Sequence, residues 1–272
     1  MDKLLKKEGK MGKVYVCGDT HGKHDIKKVY NWYNKNVENL TEEDVLIQLG
    51  DWGAIWHDKT NVHAYKKDVE LQVKWAKKKF TLCVVPGNHE NYDIIDKLPK
   101  KEKFGGIVRV LQPRNVYNGK LYKEIFLLER GEIYNINGKT FLCVGGASSQ
   151  DKYMRTVGVD WWSRELLSKM EEDNCLENLD KVNWKVDYVI SHTCPTSIGN
   201  VFLERIIPRF SDLDYNSKKA KSNDPVSKFL QHLLDNGLEF KEWHFGHWHE
   251  DIILKEKFFC HYNVEPKELS VD

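Results

Sequence analysis

Short runs of aliphatic and β-branched residues recur along the first third of the chain, each closed by glycine or proline and separated by stretches of helical periodicity. Val14 to Cys17 (VYVC) ends at Gly18, and Ile26 to Val37 follows with apolar positions spaced as on a helix. Asp44 to Leu49 (DVLIQL) reads as a second buried strand ending at Gly50. Val62 to Lys79 then places Tyr65, Val69, Val73 and Ala76 on one helical face and its lysines on the other, the pattern of a solvated outer surface. Phe80 to Val85 (FTLCVV) is a third strand, stopped by Pro86 and Gly87. Strands alternating with helices predict an α/β layered fold.

The middle of the chain changes character. Two β-like runs flank Asn137-Gly138, a strong hairpin signal that adds antiparallel pairing to the architecture. Asp160 to Asp173 reads as a helix with polar and acidic starting residues, and Val186 to Ser191 as a strand ending at His192. The lysine-rich stretch 209–223 has no apolar period and reads as a mobile loop, either a lid or plain surface. DPVSKFLQHLLDNG is a helix capped by Asp224, with Pro225 at its first turn and Gly237 at its end. With 272 residues, the chain fits a single domain spanning 1–272.

Composition narrows the function classes. The chain is 40% apolar and 31% charged with a net charge of +1, so electrostatics gives no support for a general nucleic-acid or membrane-surface binder. No apolar run is long enough for a signal peptide or a membrane span, and a cytoplasmic protein is expected. The six cysteines show no CxxC spacing and read as buried reduced thiols. Cys194, two residues after His192, is the lesser candidate for a nucleophile.

The polar bursts that end the strands carry the chemistry. They read GDTHG with Asp19 and His21, GDWG with Asp51, PGNHEN with Asn88 and His89, SHTCP with His192, and EWHFGHWH with His244, His247 and His249. In an extended segment His247 and His249 would share a face and His244 would take the other. Any one burst is ordinary turn material, because Gly, Asp and Asn suit tight turns. Five of them, each after an apolar run, converge on the carboxyl ends of strands, where layered α/β folds place their sites.

As an ordered set these blocks resemble the calcineurin-like metallophosphoesterase superfamily. The resemblance spans Asp19 to His249, and it implies an α/β/β/α sandwich of two mixed sheets flanked by helices. It also implies a two-metal centre in which Asp19, His21, Asp51 and His249 hold one ion and Asp51, Asn88, His192 and His247 the other. Asp51 is then the bridge, and His244 is structural. Nitrogen and oxygen ligands without thiolate fit Mn, Fe or Zn. Two carboxylates against two divalent ions leave the site cationic, suited to hydroxide and phosphate. The activity implied is phosphoester hydrolysis, in which a metal-bound hydroxide attacks phosphorus and His89 protonates the leaving group or only orients a phosphate oxygen. The substrate could be a phosphomonoester, including a phosphoprotein or nucleotide, or a small phosphodiester.

The chain departs from the protein-phosphatase branch of that superfamily, whose second block continues GDxxDRG. Here Ala54 and Ile55 replace the Asp and the phosphate-binding Arg. Arg155, or else Lys152, is a candidate replacement cation, against the alternative of a surface salt bridge. The Trp161-Trp162 pair could stack on a nucleobase or anchor a helix. A non-catalytic interaction module and a nuclease remain as other readings, and the oligomeric state is left open.

Overall fold

In the computed structural model, residues 12–206, 216, 219 and 221–269 are described. The first half runs β1 (Val14–Cys17), α1 (Lys27–Asn36), β2 (Val45–Gln48), α2 (Val62–Ala76), β3 (Thr81–Val84), α3 (Tyr92–Ile95), β4 (Lys100–Lys103), β5 (Gly106–Leu111) and β6 (Ile125–Leu128). The second runs β7 (Ile133–Ile136), β8 (Lys139–Val144), α4 (Lys169–Lys181), β9 (Tyr188–Ser191), α5 (Thr196–Ile206) and α6 (Pro225–Asp235). It closes with β10 (Glu242–Phe245), β11 (Ile252–Leu254), β12 (Phe258–Cys260) and β13 (Lys267–Leu269).

These strands form two mixed sheets, in the orders β13-β1-β2-β3-β6-β5-β4 and β11-β12-β10-β9-β8-β7. β1, β2, β3 and β6 are parallel in the first, as are β8, β9, β10 and β12 in the second. The pleat sorts each strand's residues between two cores. Val14, Val16, Val45 and Ile47 pack against Phe141, Cys143, Tyr188 and Ile190 of the other sheet. Tyr15, Cys17, Leu46 and Leu82 face outward onto Val29, Trp32, Leu71 and Trp75 of α1 and α2. Leu142, Val189, Trp243 and Phe245 face Leu179, Phe202 and Leu230 on the opposite side. Burial on both faces explains why the central strands read as continuous apolar runs. The result is the expected α/β/β/α sandwich.

The hairpin at Asn137-Gly138 joins β7 to β8, both residues having positive φ (51° and 79°), as a two-residue turn of this kind requires. Asp224 caps α6 by accepting from the Val226 and Ser227 amides. The expected helix over Asp160–Asp173 is displaced. Two short 3-10 turns (Lys152–Met154 and Ser163–Glu165) come first, and α4 starts at Lys169, where Ser168 and Glu171 close a capping box. The buried face of α2 is broader than expected: Leu71 and Trp75 join Val69, Val73 and Ala76, whereas Tyr65 is half-buried. Asp68 and Gln72 are buried there too, because they brace the loop after β2. Asp68 accepts from the Trp56 and His57 amides (3.0 and 2.7 Å), and Gln72 donates to the Ala54 carbonyl (2.6 Å).

The loop expected at 209–223 lies mostly outside the described residues. Its described positions Asn216, Lys219, Lys221 and Ser222 are helical. All six cysteines are free and buried, and burial holds the Cys194 thiol well above its ordinary range, which removes it as a nucleophile. No helix among the described residues is long and apolar enough to cross a membrane.

Candidate metal centre

Parallel strands bring their following loops to one edge. Asp19 and His21 follow β1, Asp51 follows β2, Asn88 and His89 follow β3, His192 follows β9, and His247 and His249 follow β10. The strand ends at Phe245, so His247 and His249 do not alternate along an extended segment. Both have left-handed φ, 64° and 53°, as do His21 (40°) and Asp51 (52°). Turns this tight need close backbone approach. A Cβ on Gly87 would collide with the Asp51 carboxylate, and one on Gly246 with that of Asp19.

Two clusters result, with one residue in common. Ligand atoms of Asp19, His21, Asp51 and His249 all lie within 4.8 Å of one another, and those of Asp51, His192 and His247 do the same. Asp51 sits between them, its oxygens 3.5 Å from His21 Nε2 and 3.3 Å from His192 Nε2. His249 Nε2 is 3.2 Å from Asp19 Oδ2. Asn88 Oδ1 is 2.9 Å from His192 Nε2, which puts the amide in the second cluster. All seven expected ligand residues are therefore gathered. His244 is not: it is buried, bonded to His261 (2.9 Å) and Glu242 (3.0 Å).

The rings are aimed by partners on their far nitrogens. His21 Nδ1 donates to Asp25 (2.7 Å) and His192 Nδ1 to the Leu49 carbonyl (2.7 Å), leaving both Nε2 atoms turned inward. His249 stacks on Tyr262 at 4.6 Å and 11°. The Lys28 ammonium donates to the Asp19 and Tyr262 carbonyls beneath the cluster. Glu90 staples two of the loops, accepting from the Trp52 (2.7 Å) and Gly87 (2.5 Å) amides. Burial and the charge of Asp51 raise Glu90 to about 7. Asp25, Lys28, Tyr262 and Glu90 had no role in the sequence reading. Only Glu90 stood inside a quoted motif.

Electrostatically the site is built for cations. Burial opposes charge on Asp51, yet His192, His89 and His21 hold it well below the usual carboxylate range. Burial likewise opposes charge on His21 and His192, but the hydrogen bonds and charge of Asp51, with Asp19, raise each to about 9. Two buried carboxylates thus retain positive partners. His247 is the exception. Burial, with Lys221 and His192, pushes it well below its ordinary value, and its Nε2 has no hydrogen-bond partner among the described residues. A buried neutral imidazole with an unused nitrogen is ligand-ready. This donor set fits divalent metals, and thiolates take no part in either cluster.

His89 stands outside both clusters. Its amide donates to Asp51 (2.9 Å), and its half-buried ring lies 5.8 Å from Trp56 and 6.4 Å from His21. Burial, only partly offset by Asp51, lowers its pKa. Ala54 and Ile55 are both buried in the core, so neither of these two positions offers a cation. Arg155 grips Asp151 through Nε and Nη2 (2.7 Å each) and the Asp160 carbonyl through Nη1 (3.1 Å). Lys152 is exposed. Trp162 is an anchor: it is buried, bonds Asp93 (3.2 Å) and meets Trp56 edge-on at 5.6 Å.

No curated protein matches the chain. The calcineurin-like phosphoesterase family model matches residues 12–251, a span that holds every side chain of both clusters. On that match and this architecture, the chain belongs to the calcineurin-like phosphoesterase family.

Proposed function

We propose that the protein is a dinuclear metal-dependent phosphoester hydrolase. Asp19, His21, Asp51 and His249 would hold one ion, and Asp51, Asn88, His192 and His247 the other. The observation that carries this reading is the sharing of Asp51 by two otherwise separate ligand clusters. Among these ligands only a carboxylate can serve two cations at once and also reduce their repulsion. Bound Mn, Fe or Zn ions would supply Lewis acidity to a phosphoryl oxygen and a water of lowered pKa.

The remaining work falls to the chain. His89 lies beside the clusters without joining either, and its ring would give a proton to the departing oxygen. A phosphoryl anion against the imidazole favours its protonated form, opposing the effect of burial. Three of the five Arg155 N–H groups are engaged, leaving two for a phosphoryl oxygen, with the exposed Lys152 as the lesser cation. The half-buried Trp56 ring lies 5.8 Å from that of His89 and would shield it from water. The substrate class is a phosphomonoester, including a nucleotide or phosphoprotein, or a small phosphodiester.

The test is a panel of aryl phosphomonoesters and diesters on protein loaded with Mn, Fe, Zn, Ni or Co. Inactivity across the whole panel would overturn the reading. His89→Ala should keep its metal by atomic emission and lose roughly 10²–10⁴-fold in kcat. Loss of metal instead would make His89 a ligand.

A further inference from the structure

The segment between β8 and α4 reaches the metal centre through a residue of no motif. Asn88 Nδ2 donates to Ser149 Oγ (3.0 Å), and Ser149 Oγ in turn donates to Glu165 Oε2 (2.5 Å). The Ser149 amide donates to the other oxygen of the same carboxylate (2.9 Å). All three residues are buried, Glu165 completely. Glu165 is itself fixed, because the carbonyls on either side of it, of Arg164 and Leu166, accept from Arg130 Nη1 (2.9 and 3.2 Å). A Cβ on Gly146 would collide with the Glu165 carbonyl, so the two segments are in contact there.

The chain of donors has one direction. Burial raises the Glu165 carboxyl above its ordinary value, and the Ser149 hydroxyl and amide bonds oppose that shift. With Glu165 ionised, both of its oxygens accept from Ser149, so the hydroxyl proton points to Glu165 and an Oγ lone pair faces Asn88. Only the nitrogen of the Asn88 amide can satisfy that lone pair. Its oxygen must then lie on the other side, where His192 Nε2 and the Asp51 carboxylate stand. The reversed amide would set two oxygens against each other at Ser149 and aim two N–H groups at the cation pocket.

We propose that Ser149 and Glu165 are positioning residues that lock the Asn88 amide with Oδ1 toward the second ion, an inference that rests on the dinuclear reading. The experiment compares Ser149→Ala, Ser149→Thr and Glu165→Gln with the parent chain and repeats Ser149→Ala in an Asn88→Asp background. Mn stoichiometry and the two Mn dissociation constants are measured on folded protein, with the Asn88 side-chain amide followed by 15N NMR without metal.

Ser149→Ala and Glu165→Gln should weaken one ion roughly 10–100-fold and leave the other unchanged. Ser149→Thr, which keeps the hydroxyl, should bind as the parent does. In the Asn88→Asp background the Ser149→Ala loss should vanish, because a carboxylate presents oxygen in either orientation. The Asn88 amide protons should be protected from exchange in the parent and exposed in Ser149→Ala. Parent-like binding of both ions by Ser149→Ala, or a loss that persists in the Asn88→Asp background, overturns the positioning role alone. A parent chain that takes up no Mn overturns the dinuclear reading and this inference with it.

Discussion

The two clusters that share Asp51 are unequal. On the rim, His249 and His21 leave 43% and 22% of their side chains exposed, and a carboxylate (Asp25) and a stacked ring (Tyr262) steady them. In the interior, His192 is fully buried and Asn88 and His247 nearly so, steadied by the Leu49 carbonyl and the Ser149–Glu165 pair. The rim ligands follow β1, β2 and β10, and the interior ones follow β2, β3, β9 and β10. An ion held in the rim cluster would exchange with solvent at little structural cost. Both clusters need the two sheets joined, because β10 lies in one sheet and β1, β2 and β3 in the other, so burial rather than assembly is what separates them.

The comparison can be broken at its shared member. Asp51→Ala should remove both ions in a stoichiometry assay and cost more than the roughly 10–100-fold typical of outer-shell changes. Retention of either ion would mean that the clusters do not depend on a common carboxylate. It can be sharpened by removing one side only. Chelator stripping followed with a metal indicator should be biphasic, and His249→Ala should abolish the fast phase while one slow ion remains. A single phase in the parent would erase the distinction between rim and interior.

The smallest effect is expected from acid. Burial opposes charge on Glu171, but Arg130 and Arg164 hold it at about 2, and its side chain is only 15% exposed. A carboxylate depressed in the folded state stabilises above its unfolded pKa, near 4.5, and that contribution drains away as pH falls toward 2. The linkage is worth roughly 3 kcal/mol. Glu171→Gln should lower the melting temperature at pH 7 and flatten its decline between pH 5 and 2. An unchanged profile would show that the Arg130–Glu171–Arg164 network does not brace the turn that carries Glu165.

What was legible in the sequence follows the same division. Asp19, Asp51, Asn88 and His192 each stand just after an apolar run, so local pattern alone places them at strand ends. Asn137-Gly138 and Asp224-Pro225 were legible because turn and cap chemistry is local. Ser149 and Glu165 were not, because their meaning arises from pairing across 61 and 16 residues with no periodic signature. The segment Asp160–Asp173 misled because its polar start resembles a helix N-terminus, while the cap that operates, Ser168, comes later. β4 and β5 were missed as well: β4 is lysine-rich and exposed, lying at a sheet edge where no core imposes an apolar pattern.

His21, Asp51, His247 and His249 all sit in the left-handed region. Residues other than glycine are held there at a cost of about 1–3 kcal/mol each. Drift toward easier folding would therefore favour glycine at these very positions, and every such step would delete a donor atom. Stability and ion binding therefore pull in opposite directions at these four places: the substitution that relaxes the backbone is the one that empties the site.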